Sequence, residues 1–467
     1  MATTRNLVVD VGEQSMKNVL LITVDSLRFD YVFGSNAPVS LEHLPALERR
    51  GVSFTNAFSD APYTKQSFLS ILSGTKPWSF QTVETGFDPE RPHIAEILSE
   101  AGYATAGFHT NTYLNPIYGY DRGFDFYLGR DQSNSSENRS RITIRQLVER
   151  GLESPVIANI IHHGYAAAGR HLGVQLGSSL YSPADELNES AVQWSQQSDV
   201  PQFLWIHYMD VHNPYYPHEG TVSEDIDRRK AIKLFHRVNE LRGDAPQEEI
   251  DILEQLYRGE IEYFDQQLGI LFDQLEEILS LEETILVFTS DHGEAFNEKG
   301  RVFHPGSALF DENIHIPLIV AGPEIEPATV STPVTNADLI PTILGQLKIE
   351  LDENFDGTDI TEFIHDQPEK RLVYTQSYDP TDGNLMVTDG RFKLIRDLAT
   401  GRERLFDRNE RPKELRDCQE EFRTVHGELS AALDHHHRTA TQEDHQAERV
   451  AVGENVRLQL RKLGYDE

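Results

Sequence analysis

The sequence is poor in cysteine and has no long apolar run. Its one cysteine among 467 residues is Cys418, so no internal disulfide can form and no cysteine-based metal cluster is available. The N-terminal stretch lacks the apolar segment that an export signal needs, and no segment approaches the ~20 apolar residues of a membrane span. These absences predict a cytoplasmic protein without a membrane span.

Basic residues are scarce beside acidic ones. Asp and Glu number 76 against 42 Lys and Arg, which gives a formal net charge of −34, and only 11 of the basic residues are lysine. Such a charge repels nucleic acid and anionic lipid, so we expect no nucleic-acid partner. Strong acidity with few lysines resembles the composition of proteins from salt-loving archaea, and this resemblance implies a halophilic protein of haloarchaeal origin.

The hydrophobic content of 38% is low for a chain of this length. It still suffices for a core, because the fraction of surface buried on folding rises with chain length. The length exceeds one typical domain and suits a large α/β body that carries a smaller unit. We therefore predict an enzyme-sized α/β protein.

Three short apolar runs end on side chains that can bind a metal. Residues 19–24 (VLLITV) precede Asp25, residues 284–290 (TILVFTS) precede Asp291, and residues 203–206 (FLWI) precede His207. Runs of this kind are typical of strands buried on both faces of a parallel sheet. Ligands of such sheets bind beyond the carboxyl ends of the strands, which is where we expect the functional site.

The remaining patterns give the domain organisation. Apolar spacing predicts helices over 92–101 and, as a long amphipathic helix, over 250–281. Residues 131–185 are rich in Ser, Asn and Gly and indicate a variable insertion, which is either a lid or a surface excursion. We predict an N-terminal extension over 1–17, a catalytic domain over 18–370 and a smaller α+β unit over 371–467, with strands at 371–375 and 391–395 and a polar helix at 412–463. The consecutive His435, His436 and His437 of that helix point to different faces, so we expect a solvated cluster without a common metal.

Asp25, Asp291 and His292 make a candidate metal site. Carboxylates with one imidazole suit a divalent cation such as Zn, Mn, Mg or Ca. The alternative for any single Asp at a strand end is a helix cap, and Asp25 in particular precedes Ser26 and Asp30, which have the same capacity.

Thr64 is a candidate nucleophile. Pro62 breaks regular structure and residues 67–72 suit a helix, so Thr64 falls near a helix N-terminus, which favours an anion and a partly ionised hydroxyl. A plain capping role is the alternative.

Several segments together resemble a known family. They are NVLLITVDSLRFD, APYTKQSFLSILSG, AGYATAGFHTNTYL, FLWIHYMDVHNPYYP, ILVFTSDHGEAFNEKG and HPGSALFDENIHIPLIVAGP, followed by VTNADLIPTIL and GRFKLI. In order and spacing they resemble the sulfatase-like branch of the alkaline phosphatase superfamily. The resemblance runs from about residue 18 to the end, except for the insertion, and implies an α/β fold with a mostly parallel sheet sandwiched by helices.

The resemblance also implies a role for each matched residue. Asp25, Asp291 and His292 would hold one divalent metal, and Thr64 would be both ligand and nucleophile. The other implied roles are substrate binding by Asn111, His207 and His212, and anion contacts by Lys65 and Arg28. His304 would protonate the leaving oxygen or bind a second charge, and His212 is a further catalytic candidate. A second metal would need Asp210, His212 and His304. Their spacing differs from the Asp-x-x-x-His element that is usual in two-metal members of the superfamily.

One departure separates this chain from true sulfatases. Those enzymes carry a Cys or Ser at the position of Thr64, which is converted to formylglycine, followed by Pro and Arg where this chain has Gln66 and Phe68. Thr cannot become formylglycine, so a direct Thr nucleophile acting on phosphodiesters is favoured. The alternatives are a sulfuric ester hydrolase without formylglycine and an inactive relic that binds anions or glycans. The expected substrate is an anionic small-molecule or glycan-linked ester, and the oligomeric state stays open.

Overall fold

The computed structural model describes residues 7–9, 16–34, 37–79, 86–88, 91–129, 181–218, 226–351, 354–377, 383–410 and 414–441. The predicted insertion therefore lies outside the described residues except for 181–185, as do most of the N-terminal extension and the end of the polar C-terminal helix. Among the helices described, none combines the length and the apolar character needed to cross a bilayer.

The described strands form one large sheet and several small ones. Their bounds are β1 (Leu7–Val9), β2 (Val19–Val24), β3 (Val52–Phe54), β4 (Ala57–Phe58), β5 (Ala104–His109), β6 (Phe126–Leu128), β7 (Gln202–Tyr208), β8 (Ile285–Ser290), β9 (Ala295–Phe296), β10 (Val302–Phe303), β11 (Leu318–Ala321), β12 (Ala328–Val330), β13 (Val334–Thr335), β14 (Ile349–Leu351), β15 (Val373–Gln376), β16 (Asn384–Thr388), β17 (Phe392–Asp397) and β18 (Glu403–Asp407).

The large sheet has eight strands in the order β12-β3-β11-β8-β2-β7-β5-β6. Strand β11 is antiparallel to both of its neighbours, whereas the other pairs are parallel. At the centre, β2 pairs with β7 on one side and β8 on the other, with Thr23 opposite both His207 and Thr289. The carboxyl ends of the three predicted strands thus meet at one edge of the sheet.

Helices cover both faces of this sheet. Their bounds are α1 (Phe29–Val32), α2 (His43–Glu48), α3 (Thr64–Ser73), α4 (Ile94–Glu100), α5 (Ala184–Ser195), α6 (Arg228–Leu241), α7 (Gln247–Leu279), α8 (Asp311–Ile314), α9 (Leu339–Leu347) and α10 (Arg423–Thr441). Strand β2 is fully buried, with Leu20, Ile22 and Val24 in the core beneath α7 and with Val19 and Leu21 in the core beneath α3 and α4. Burial on both faces explains why β2 is continuously apolar.

A second, smaller sheet lies near the C-terminus. Strands β15 to β18 form an antiparallel meander, and α10 packs on it through Leu429 and Leu433. The predicted fold class, an α/β body with a mostly parallel sheet between helices and a small C-terminal α+β unit, is confirmed.

Two sequence predictions need correction. Strand β7 does not stop before His207 but continues through Tyr208, so His207 points from within the strand. His436 is half-buried and not freely solvated: its ring stacks on Tyr374 at 4.2 Å and meets the edge of Trp78 at 4.6 Å between ring centroids. Burial lowers the pKa of His436 to about 3, which keeps this ring neutral against its aromatic neighbours.

Candidate active site

Asp25, Asp291 and His292 converge at the carboxyl edge of the large sheet. All three are fully buried, and their ligand atoms lie within 4.8 Å of one another. His292 Nε2 lies 3.7 Å from Asp25 Oδ1 and 3.5 Å from Asp291 Oδ2. The strand endings predicted from the sequence therefore do meet.

Ser26 joins the two carboxylates. Its backbone takes a left-handed φ of 63°, unusual for a residue other than glycine, immediately after β2. In this conformation its N–H donates to Asp291 Oδ1 at 3.1 Å and its hydroxyl donates to Asp25 Oδ1 at 2.9 Å. The strained turn thus fixes both acids, and the sequence carried no signal for it.

The two carboxylates titrate as an interacting pair. Burial alone would raise the pKa of Asp25, but His212 and two further histidines outweigh it and hold that pKa well below its usual range. Burial and the negative charge of Asp25 raise the pKa of Asp291 to about 8. Without a cation between them, only one of the two carboxylates ionises readily near neutral pH.

These residues fit a divalent metal. Within the described part of the chain, Asp291 Oδ2 is buried and has no hydrogen-bond partner. A cation would satisfy the carboxylate oxygen and favour ionisation of both acids. Burial lowers the pKa of His292 to about 4, so its ring is neutral, as a ligand must be.

Thr64 is the first residue of α3 and is fully buried. Its Oγ1 lies 3.3 Å from Asp25 Oδ2 and 3.2 Å from His292 Nε2. The hydroxyl therefore lies against the candidate metal ligands and at the positive end of a helix of 10 residues. Thr64 therefore lies at the start of a helix, as its sequence position predicted, and its hydroxyl lies beside Asp25.

His207 lies beneath the carboxylates in a chain of hydrogen-bonding groups. Its Nε2 is 3.4 Å from Asp25 Oδ2, and its Nδ1 is 3.1 Å from Thr23 Oγ1. The indole N–H of Trp205 donates to the same Thr23 oxygen at 3.0 Å. Asn111 donates its side-chain N–H to Asp25 Oδ2 at 2.9 Å. His207 and Asn111 thus both contact Asp25.

His212 and His304 stand side by side near His292. The ring centroids of His304 and His292 are 4.6 Å apart, and those of His304 and His212 are 5.1 Å apart. His304 Nδ1 lies 3.0 Å from Glu294 Oε1, and this buried carboxylate raises the pKa of His304 against the opposing effect of burial. Burial lowers the pKa of His212 to about 4.

Glu294 is a site residue that sequence reasoning missed. It is fully buried, and its Oε2 also accepts a hydrogen bond from the Tyr215 hydroxyl at 2.7 Å. The available signal was its position two residues after His292, because an acid in that apolar neighbourhood needs a partner.

The two predicted anion contacts have other partners. Arg28 pairs with Asp30 at 2.9 Å and with Glu298, and donates to the Glu294 carbonyl at 3.0 Å. The Lys65 ammonium lies over the Tyr118 ring at 4.1 Å from its centroid. Arg28 thus binds the acids beside the site.

Of the residues considered for a second metal, His212 and His304 lie side by side, but Asp210 has another partner. Asp210 Oδ1 accepts a hydrogen bond from the Ala184 N–H at 3.0 Å, and burial followed by the charge of Glu260 raises the pKa of Asp210 well above its usual range. Among the described residues, Asp25, Asp291 and His292 are the one group of three or more acidic, His or Cys residues close enough to share an ion.

The fold and the clustered site define an ester hydrolase of the alkaline phosphatase superfamily. The chain belongs to the sulfatase family: the family model described as Sulfatase matches residues 17–349.

Three relatives illustrate the range of the similarity. The chain is 24% identical over 451 residues to a choline-sulfatase of Rhizobium meliloti, covering 86% of this chain and 82% of the relative. It is 23% identical over 450 residues to arylsulfatase K of Bos taurus, covering 89% and 81%. The solved phosphonate monoester hydrolase from Silicibacter pomeroyi has the same fold, with a TM-score of 0.65 and 20% identity over 93% of this chain and 100% of that one.

Proposed function

We propose that this chain is a metal-dependent hydrolase or transferase of phosphate or sulfate esters that uses Thr64 as its nucleophile and favours phosphodiester-type substrates. The observation that carries the proposal is the position of Thr64 Oγ1, 3.3 Å from Asp25 Oδ2 and 3.2 Å from His292 Nε2 at the N-terminus of α3. Asp25, Asp291, His292 and Thr64 would hold one Mn, Mg, Ca or Zn ion. Such an ion lowers the pKa of a bound hydroxyl and neutralises charge on the transferring group.

The covalent step requires Thr64 to lose its hydroxyl proton. Asp25 Oδ2 accepts the hydrogen bond of this hydroxyl and would orient it. Because the pKa of Asp25 lies well below its usual range, the proton would pass on to solvent. The Thr64 oxygen then forms a bond to phosphorus or sulfur while the bond to the leaving oxygen breaks. Water later displaces Thr64 and releases a phosphomonoester or sulfate, whereas in the transferase case an alcohol takes the group as a new ester. In both cases a proton of the attacking hydroxyl replaces the group on the Thr64 oxygen.

The leaving oxygen needs a proton as its bond breaks. His304 would supply it, since Glu294 binds Nδ1 and favours the protonated ring. His212 and His207 would line the transferring group, Asn111 would donate to one of its oxygens, and Lys65 would add positive charge at the rim.

The substrate class follows from the relatives and from the nucleophile. The relatives are named for sulfate esters and phosphonate monoesters, so we propose an anionic ester of a small molecule or glycan. A Thr nucleophile favours phosphorus over sulfur, because formylglycine chemistry is unavailable to Thr. The alternatives stay sulfuric ester hydrolysis by unmodified Thr and binding of anions or glycans without turnover.

A substrate panel with Thr64 variants tests the proposal. Purified protein is assayed on aryl phosphomonoesters, phosphodiesters, phosphonates and sulfates, with each of the four metals and after chelation. We expect diester turnover that chelation abolishes, that Thr64→Ala lowers by at least about 10³-fold and that Thr64→Ser retains in part. Mass spectrometry of the quenched reaction should find the phosphoryl group, together with the remaining ester group of a diester substrate, on the peptide that contains Thr64.

Each alternative has its own outcome. Turnover that survives Thr64→Ala would overturn the nucleophile assignment. A preference for aryl sulfate would favour the sulfuric ester hydrolase, whereas no turnover and no bound metal at saturating supply would favour the binding protein.

We further propose that the protein works in concentrated salt. The support is the net charge of −34 together with the small share of lysine, the composition that resembles salt-loving archaea. The cytoplasmic location and the bounds of the three predicted units stay predictions.

A further inference from the structure

Helix α8 and the residue directly after it are hydrogen-bonded to four segments of the candidate site. The Asn313 carbonyl accepts from the Gly293 N–H at 2.8 Å, and the Ile314 carbonyl accepts from the Ser59 N–H at 2.8 Å. The His315 carbonyl, directly after the helix, accepts from the Phe29 N–H at 3.1 Å. These bonds join α8 to the segments that carry His292, Thr64 and Asp25.

The fourth bond supports the segment that carries His304. The side-chain N–H of Asn313 donates to the Phe303 carbonyl at 2.9 Å. Phe303 has a left-handed φ of 63°, which is strained for a bulky residue and persists only where neighbouring structure holds it. The position of His304 therefore depends on α8 as well.

The approach of α8 to the His292 segment is also very close. A Cβ on Gly293 would lie 2.3 Å from the Glu312 carbonyl oxygen, so only glycine allows this contact. The hydroxyl of Ser59 in turn lies 2.5 Å from the Asp291 carbonyl. A displacement of α8 would thus reach the residues on both sides of the metal ligands.

Buried charges from the C-terminal sheet fix α8 in place. The Lys393 ammonium of β17 lies 3.0 Å from Asp311 Oδ1 and 2.6 Å from Glu414 Oε1. Arg408, directly after β18, donates to Asp311 Oδ2 at 2.9 Å, and the Asp311 N–H donates to Glu414 at 2.8 Å. Lys393 is fully buried, so these contacts are shielded from salt and solvent.

We propose that Lys393 is a positioning residue for the active site: it anchors α8 through Asp311, and α8 holds the segments of His292, His304 and Thr64 in register. The proposal rests on the function proposed above for that site. It makes the C-terminal sheet a part of the catalytic apparatus, although none of its residues is placed against the substrate.

The test compares two substitutions on one strand. Lys393→Met removes the contacts with Asp311 and Glu414. Arg396→Met removes a comparable pair of ion pairs, with Glu403 and Asp434, from the opposite face of β17. Asp311→Asn is the second variant, since it keeps the size of the side chain and weakens the same anchor from the α8 side. All are made in the full chain.

Three measurements are taken on each variant: amide hydrogen exchange of peptides containing Phe29, Ser59 and Gly293, the affinity of the apo-protein for Mn²⁺ by the electron paramagnetic resonance of the free ion, and kcat with KM. For Lys393→Met and Asp311→Asn we expect exchange of the Gly293 peptide at least about ten-fold faster and Mn²⁺ affinity roughly ten-fold weaker. kcat should fall with KM within two-fold, while Arg396→Met resembles the wild type in all three.

Hydrogen exchange decides the proposal without relying on metal or turnover. Unchanged exchange at Gly293 in folded Lys393→Met protein would overturn it, as would an equal effect of Arg396→Met. If Lys393→Met does not fold, Asp311→Asn is judged by the same criteria. If the wild type binds no Mn²⁺ and turns over no ester, the proposed function fails, but the exchange result still decides whether Lys393 positions these segments.

Discussion

Asp25 is the residue on which the candidate site depends most. Its Oδ2 faces the side chains of Asn111, Thr64 and His207, and its Oδ1 accepts from the Ser26 hydroxyl. A carboxylate with this many donors stays ionised in spite of complete burial. The same donors fix its orientation, so Asp25 is presented to a cation in one geometry.

Thr23 provides a test of the chain of groups beneath Asp25. Thr23→Val keeps the shape of the side chain but leaves the Trp205 indole N–H and His207 Nδ1 without their shared partner. We expect the free energy of unfolding to fall by about 1–3 kcal/mol, measured by denaturant unfolding.

The exposed Thr329 of β12 offers a control for that substitution. Because Thr329→Val touches no buried polar group, its effect should stay within about 0.5 kcal/mol. Equal effects of the two substitutions would show that the Thr23 hydroxyl contributes nothing to the site.

At the residue scale, the sequence predicted which side chains meet but not what orients them. Asp25, Asp291 and His292 were readable because each follows an apolar strand. The strained Ser26 was not readable, since its role depends on Asp291, which lies 265 residues away. Glu294 was missed because its partners Tyr215 and His304 come from other segments. Arg28 was expected at an anion, but the nearer carboxylates Asp30 and Glu298 take its guanidinium.

Among the elements, α8 contributes most relative to its size. It has four residues, yet together with His315 its carbonyls and the Asn313 side-chain amide satisfy donors and acceptors from four segments. A helix this short has little stability of its own. Its position must therefore come from the surrounding contacts.

Gly293→Ala tests the close approach of α8. The added Cβ would meet backbone rather than a flexible side chain, so α8 or the His292 segment must move. We expect kcat to fall by roughly 10²-fold, because small misplacements at a site cost that much, and steady-state kinetics would measure it.

Gly427 in α10 is the matched position for comparison. A Cβ there would meet nothing within 4 Å, and alanine is the better helix former. Gly427→Ala should leave kcat unchanged and raise stability by up to about 1 kcal/mol. An unaltered kcat in Gly293→Ala would contradict a tight packing of α8 against the site.

Long elements were predictable and short ones were not. The apolar stripe of α7 and the run of β2 exceed the length at which hydrophobic pattern is decisive. Strand β7 was predicted to end too early because His207 interrupts its apolar run. His207 and Tyr208 are nevertheless both buried within the strand. No periodicity can develop within the four residues of α8.

For the whole molecule, the charge of −34 is the dominant feature. At low ionic strength, unscreened repulsion among carboxylates opposes the compact state, whereas salt shortens its range from ~10 Å at 0.1 M to ~3 Å at 1 M. We therefore expect the far-UV circular dichroism signal to be lost on dilution from concentrated KCl and to return when KCl is restored. Equal thermal midpoints at 0.1 M and 2 M KCl would contradict this expectation.

The overall architecture was largely predictable, because an alternation of apolar strands and amphipathic helices leaves few arrangements. The antiparallel β11 and the docking of the C-terminal sheet were not. Both depend on long-range pairing, and in the second case on buried ion pairs between Lys393, Arg408 and Asp311.

The strand order has a consequence for the synthesis of the protein on the ribosome. Strand β2 is made early, but its neighbours β7 and β8 begin only at Gln202 and Ile285. At ~5–20 residues per second, the first partner of this wholly apolar strand follows it by roughly 10–40 s. During that interval the growing chain carries an unpaired, aggregation-prone segment, so its synthesis should depend on chaperones that bind nascent chains.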